Sequence, residues 1–282
     1  MIFTVVSKSK KNAVVVSRKI IVRDGLWLLL VEFVLIYFIQ QGVISWVESL
    51  VLIVLYGLYV LYLFKTMKGG HDINYEEPFT DKDRVSFLSA FMILDLKRMI
   101  IGNQKLNTRT AWMVFIVSSL IIGFVCYFLV LACEWLGSET YSVYGFGELQ
   151  GLGIPLLFIA IVFAAIGSSF PDTIISYKDA QKGNYDDAIS NAYGSNIFNL
   201  CIALGVPLFL FTFLYGPIEL TQEIVSLITN LSLWFFGLTA FSIFLYTRLG
   251  GVTRKQALIL IATYVIFILF IFWKAYNTAF IV

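Results

Sequence analysis

Charge is what this sequence has least of. Only 13% of its 282 residues are Asp, Glu, Lys or Arg, whereas 59% are hydrophobic and 17% aromatic. Several uncharged stretches reach about 20 residues, the length a helix needs to cross a bilayer. The single histidine, His71, lies in a polar loop and supports no site. The three cysteines, Cys126, Cys133 and Cys201, all fall in apolar segments without metal or disulfide spacing, so they read as buried small hydrophobes. There is no nucleophile and base pair, no phosphate-binding loop and no Cys/His cluster, so neither an enzyme nor a cofactor is expected. No cleavable signal peptide is visible, because residues 1–6 are too short for its apolar region and run into a basic cluster. Nor is a nucleic-acid partner expected; the partner is the lipid bilayer.

What the chain does contain is an all-α, polytopic pattern of seven candidate spans, at residues 26–40, 45–64, 111–135, 154–177, 188–214, 224–246 and 256–273. The connections are short except for residues 65–110. These carry Glu76, Glu77, Pro78, Asp81 and Asp83, and a segment, 85–101, that is apolar but interrupted by Asp95, Lys97 and Arg98 and is expected to lie on the membrane surface. No calcium-binding loop pattern occurs there, and no large regulatory module is expected. With the N-terminus inside, six basic residues precede the first span, eight lie in the long loop, two at Lys178 and Lys182, and three between Arg248 and Lys255. That places nineteen of the twenty on one side, with Lys274 the exception. The opposite connections carry Glu134, Glu139, Glu148, Glu219 and Glu223 and no basic residue. The expected localisation is therefore an integral multi-pass membrane protein, the inner membrane if bacterial, with a cytoplasmic N-terminus and an external C-terminus. Trp27, Trp46, Trp112, Trp135 and Trp273 fall near span ends as interfacial anchors, and Trp234 falls mid-span.

The chemistry concentrates in residues 151–207, where GSSFPD (167–172) and GSNIFN (194–199) each adjoin an apolar run. Asp172 ends a charge-free segment, and an unpaired carboxylate at membrane depth costs about 2.5–3.5 kcal/mol even on the gentlest insertion scale. Ser168, Asp172 and Ser176 recur at i, i+4 and i+8, as do Asn191, Ser195 and Asn199, so two oxygen-bearing stripes can face each other across a helix pair. Ser176 and Asn196, taken singly, read as residues that bond neighbouring helices. Pro171 has no N–H and removes the donor for the Gly167 carbonyl, so a break in the helix is expected there. Carbonyls, hydroxyls, an amide oxygen and a carboxylate are hard ligands that suit Ca²⁺ or Na⁺.

GSSFPD, the polar turn and SNAYGSNIFN together resemble the second of the two signature repeats of the sodium/calcium exchanger superfamily of cation antiporters. The resemblance implies that Asp172, Ser168, Ser169, Ser195 and Asn199, together with the carbonyl of Ala165, bind the transported Ca²⁺ and Na⁺. It differs in having GSS for the usual GTS, and Asn199 where potassium-dependent members carry Asp, which argues against potassium dependence. The family fold implied has two five-helix halves of inverted topology. In those terms residues 1–65 are the end of the first half, 66–108 a cytoplasmic linker, and 109–282 a complete second half. A faint internal repeat agrees: Gly42-Val-Ile-Ser resembles Gly250-Gly-Val-Thr, and Tyr56 and Tyr59 correspond to Tyr264 and Phe267.

No first signature repeat is present. Glu32 is the other acidic residue well inside a predicted span, and it lacks surrounding Gly, Ser or Pro; it reads as a helix-interface residue or a second polar element on the route, and is not named as a ligand. Because a Ca²⁺ site uses six to eight oxygens and opposes its charge with more than one carboxylate, a second acidic group is expected. The expectation is thus a Na⁺/Ca²⁺-type antiporter working by alternating access, truncated or split, whose first repeat lies in a missing segment or separate chain. A second copy of this chain would have to insert the other way up, against its charge bias. A proton-coupled cation exchanger and a non-transporting partner subunit or remnant remain as alternatives.

Overall fold

The computed structural model describes residues 13–14, 16–66, 107–143, 145, 147–153, 159, 165–248 and 252–279, with the backbone alone for residues 13, 165, 166, 168, 252 and 272–279. The chain divides into two compact units, one from residues up to 69 and from 169 onward, the other from residues 70–168. The expected surface segment at 85–101, the loop acids, His71 and the N-terminal stub all lie outside the described residues.

In the first unit β1 (Ala13–Val14) leads into α1 (Arg18–Gln40), and β2 (Val43–Ile44) into α2 (Trp46–Thr66). Later in the chain β5 (Ile218–Glu219) leads into α7 (Gln222–Arg248), and β6 (Val252–Thr253) into α8 (Arg254–Ala279). These short strands pair antiparallel and crosswise, β1 with β6 and β2 with β5. Since β1 and β2 lie at opposite ends of α1, α7 starts at the β2 end and finishes at the β1 end. The two hairpins α1–α2 and α7–α8 therefore run in opposite senses, and the sequence similarity around Gly42 and Gly250 marks an inverted structural pair. At the α1–α2 turn Gly42 adopts φ 74°, a conformation glycine tolerates, and its carbonyl accepts the Leu220 N–H at 2.8 Å, extending the β2–β5 pairing.

α1 packs extensively on α7 and on α5 (Tyr185–Phe198), with Ile21, Leu28, Val31, Ile189, Tyr193 and Ile197 in the shared core. A Cβ at Gly25 would come within 2.6 Å of Ile243, so glycine permits the close approach of α1 to α7. α5 continues through a π-helical turn (Asn199–Ala203) into α6 (Gly205–Tyr215). The outer faces are apolar, with Phe64 70% and Phe33 60% exposed, while Asp24, Glu32, Ser49, Thr212 and Thr239 are buried. That inverts the soluble-protein pattern, as a lipid surround requires. Trp234 lies mid-helix as expected and its ring stands 5.2 Å from Phe270.

The second unit contains α3 (Thr108–Gly137), opened by an Asn107 and Thr110 capping box, and a hairpin of β3 (Thr140–Val143) with β4 (Gly147–Gln150) that no span prediction contained. Five described helical segments are long and apolar enough to cross a membrane: Trp46–Thr66, Thr108–Gly137, Tyr185–Tyr215, Gln222–Arg248 and Arg254–Ile271. The molecule is an all-α polytopic membrane protein. Cys133 and Cys201 are buried as expected, but Cys126 is exposed, because α3 is exposed on nearly every side and Cys133 is its buried residue.

Candidate functional site

The polar turn of the motif closes a helical hairpin. α4 (Ala165–Lys182) ends at Gly183, whose φ of 90° reverses the chain, and α5 starts two residues later. The two stripes do face each other: the Asn191 amide donates to Ser176 Oγ at 2.9 Å and to the Asp172 backbone carbonyl at 3.2 Å. Ser176 is buried in this role, and Asn196 donates to the Ala192 carbonyl of its own helix at 2.8 Å. Both are thus bonded into the helix pair.

Pro171 does not break α4, which is helical without interruption from Ala165 to Lys182. The departure from α-geometry falls instead at Asn199, the last residue of the second motif, where the Leu204 N–H reaches the Asn199 carbonyl at 2.9 Å across five residues. One widened turn satisfies its own backbone, so the helix absorbs the irregularity without unwinding; such π-turns recur at functional sites.

A cavity of about 720 Å³ opens beside this hairpin, bordered by Ser169, Asp172 and Thr173 of α4, Ser195 and Asn196 of α5, and Asn199. Of the residues singled out in the sequence, Asp172, Ser169, Ser195 and Asn199 come together there. Ala165 and Ser168 lie on the first turns of α4, and their side chains are outside the described residues. The Asp172 carboxylate has no hydrogen bond or ion pair among the described residues. Ser195 Oγ only back-bonds to the Ala192 carbonyl at 3.3 Å. Among the described residues no group of three or more His, Cys, Asp or Glu gathers in a metal-binding arrangement. What the cavity offers is dispersed hard oxygen around a free carboxylate, weak for soft metals and suited to a hard cation.

The cavity's far wall was not foreseen. It is formed by α1 and α7, including Leu28 and Glu32 from the first and Thr239 and Ser242 from the second. The Thr239 hydroxyl donates to Glu32 Oε1 at 2.8 Å. Asp24 is the second acid that sequence reasoning missed. It is fully buried, and its carboxylate binds Arg23 through Nε at 2.7 Å and Nη2 at 2.9 Å, accepts from Ser190 Oγ at 2.7 Å and from the Tyr59 hydroxyl at 3.3 Å. α1 starts eight residues before the predicted span, at Arg18, because the adjacent charges of Arg23 and Asp24 cancel and are drawn into the bundle. The signal available in the sequence was that Arg-Asp-Gly step directly before an apolar run.

An all-α membrane bundle with inverted hairpins, and with a carboxylate cavity between a signature hairpin and its neighbours, defines a cation-transporter class of architecture. More than half of the chain, residues 110–273, matches the family model described as sodium/calcium exchanger protein, and the chain belongs to that family. It is 31% identical over 156 residues to a protein of Drosophila melanogaster described as a probable sodium/potassium/calcium exchanger, covering 55% of this chain and 23% of that protein. It is 29% identical over 158 residues to human sodium/potassium/calcium exchanger 4, covering 52% and 24%, and 33% identical over 151 residues to human sodium/potassium/calcium exchanger 5, covering 49% and 29%. The chain thus matches about a quarter of the length of these curated relatives. No solved structure matches.

Proposed function

We propose that this chain is a cation antiporter subunit or segment that exchanges Ca²⁺ for Na⁺ at the Asp172 cavity by alternating access. The observation that carries the reading is the unpaired Asp172 carboxylate in a cavity ringed by Ser169, Ser195 and Asn199, inside the region that matches the exchanger family. Ca²⁺ and Na⁺ are substrates here. A dehydrated hard cation recovers its lost water contacts from carboxylate, hydroxyl and amide oxygens, and one carboxylate cannot be fully shared by both ions at once. Mutual exclusion at Asp172, with opening to one side at a time, yields exchange. Ser168 and the Ala165 carbonyl stand as further ligands on the first turns of α4. The family resemblance also supports a 5+5 inverted fold, in which residues 1–65 end the first half, 66–108 link the halves and 109–282 form the second, with the N-terminus cytoplasmic and the C-terminus outside. In that fold a first signature repeat, from a further segment or partner chain, would add ligands. Asn199 in place of an acid leaves potassium out of the proposal.

The test is Na⁺-gradient-driven uptake of radiolabelled Ca²⁺ into proteoliposomes of the 282-residue chain, compared with Asp172→Asn. Uptake that is lost in the variant while its fold persists is the expected result. Uptake indifferent to Asp172 overturns the site, and uptake driven equally by a proton gradient without Na⁺ replaces the coupling ion.

A further inference from the structure

Asn191 belongs to the polar stripe of α5 but does not border the cavity. Its amide nitrogen is directed at α4 instead, donating to Ser176 Oγ at 2.9 Å and to the Asp172 backbone carbonyl at 3.2 Å. A carbonyl only accepts, so the nitrogen has to face it and the orientation of the amide follows from that partner. Among the described residues these are the only side-chain hydrogen bonds that join α4 to another helix. Little else holds α4. Of its described side chains only Ser176 and Ala180 are buried, whereas Phe170 is 60% and Ile175 49% exposed.

The two bonds also set a register. Ser168, Asp172 and Ser176 approach the Gly183 bend at intervals of four, and Asn191, Ser195 and Asn199 leave it at the same interval in the opposite direction. Locking Ser176 to Asn191 therefore brings Asp172 level with Ser195, one turn further from the bend, and position 168 level with Asn199, a turn beyond that. α5 is anchored on its other side by the neighbouring residue: the Ser190 hydroxyl donates to Asp24 Oδ2 at 2.7 Å, and that fully buried carboxylate is held by Arg23 and Tyr59. The α1–α2 hairpin, α5 and α4 are thus joined in series, and Asn191 is the last link before Asp172.

We infer that Asn191 is the positioning residue of the cation site: by bonding Ser176 and the Asp172 carbonyl it fixes the register in which the Asp172 carboxylate meets the Ser195 and Asn199 oxygens, and so sets the affinity for the exchanged cation. The inference rests on the reading of Asp172 as a cation ligand. Ca²⁺ is held at about 2.3–2.6 Å from its oxygens, so a small slide of α4 along α5 loses contact, and outer groups that orient metal ligands typically account for about 10–100-fold in affinity. Their effect on folding is smaller, because single side-chain hydrogen bonds between membrane helices stabilise a bundle only modestly.

The experiment is calorimetric titration of the purified full chain with CaCl₂ in lipid nanodiscs, with thermal melting in Ca²⁺-free buffer, for the wild type, Asn191→Leu, Asp172→Asn and the double variant Ser176→Asn/Asn191→Ser. Leu is branched like Asn but donates nothing, so Ca²⁺ affinity falls by about 10–100-fold while the melting temperature stays near wild type. The double variant exchanges amide and hydroxyl between the same two positions, remakes their bond, and recovers most of the lost affinity. Wild-type affinity in Asn191→Leu, or a double variant as weak as Asn191→Leu, overturns the inference; with binding lost in Asp172→Asn, the proposed function still stands. No Ca²⁺ binding by the wild type, or binding indifferent to Asp172, overturns both. Should Asn191→Leu fail to fold, Ser176→Ala takes its place: it removes the shorter of the two bonds, and unaltered Ca²⁺ affinity overturns the inference.

Discussion

Asp24 and Glu32 stand about two turns apart on the same helix, both buried, and their surroundings are opposite. Asp24 is held by a guanidinium and two hydroxyls drawn from α1, α2 and α5, so every direction of its carboxylate is answered by protein. Glu32 has one partner, Thr239 of α7, and one enclosed oxygen with no hydrogen-bond partner among the described residues. A membrane interior makes an unpaired acid unfavourable, so a paired acid reads as a fastening between helices and one left unpaired beside a cavity as a place kept for something that arrives. Asp172 is the acid of this second kind, as it borders the cavity and its carboxylate has no partner among the described residues.

The comparison breaks most visibly at its closed end. Asp24→Asn removes the charge that answers Arg23, and leaving a largely buried guanidinium uncompensated is expected to cost about 3–5 kcal/mol, read as a fall in unfolding free energy in mixed micelles. A loss under about 1 kcal/mol would place Asp24 among the dispensable pairs. Next to it, Gly25→Ala pushes a methyl into Ile243, and repacking is expected to cost about 1–3 kcal/mol by the same measurement; no loss would mean that α1 and α7 are not tightly engaged there. Tyr59→Phe deletes a single long hydrogen bond to Asp24, and a smaller loss of about 0.5–1.5 kcal/mol follows. At the open end Asp172→Asn should alter stability by no more than about 0.5 kcal/mol, since no partner is lost, while Ca²⁺ uptake disappears. A large destabilisation there would make Asp172 structural and erase the distinction.

Much of this was legible in the sequence, for physical reasons. Membrane helices betray themselves by uninterrupted apolarity, so six of the seven predicted spans overlap long described helices and the seventh overlaps α4, whose preceding residues lie outside the described set. Asp172, Ser195 and Asn199 were singled out because helical spacing projects them onto facing stripes, a purely local property, and Ser169 because the motif resembles the exchanger repeat; Asn191 bridges those stripes as the spacing implies. Asp24 was missed, and the partner of Glu32 at its helix interface could not be named, because what such an acid does is non-local. Whether a carboxylate is fastened or free depends on Arg23, Tyr59, Ser190 and Thr239, and apart from Arg23 these lie on other helices. Pro171 misled in the other direction: a missing N–H marks a place where a helix can open, but α4 runs through it, and the irregular turn appears at Asn199, where no proline or glycine signals it.

The central claim is that Asp172 holds the exchanged cation at the signature hairpin. The measurement that meets it directly is an electron cryomicroscopy or crystallographic map of the chain in Ca²⁺, compared with a map in a Ca²⁺-free, Na⁺-free buffer. The account predicts a single added density within coordination distance, about 2.3–2.6 Å, of an Asp172 carboxylate oxygen. A Ca²⁺ density that does not touch Asp172, or Asp172 bonded to protein with the cavity collapsed, would contradict it.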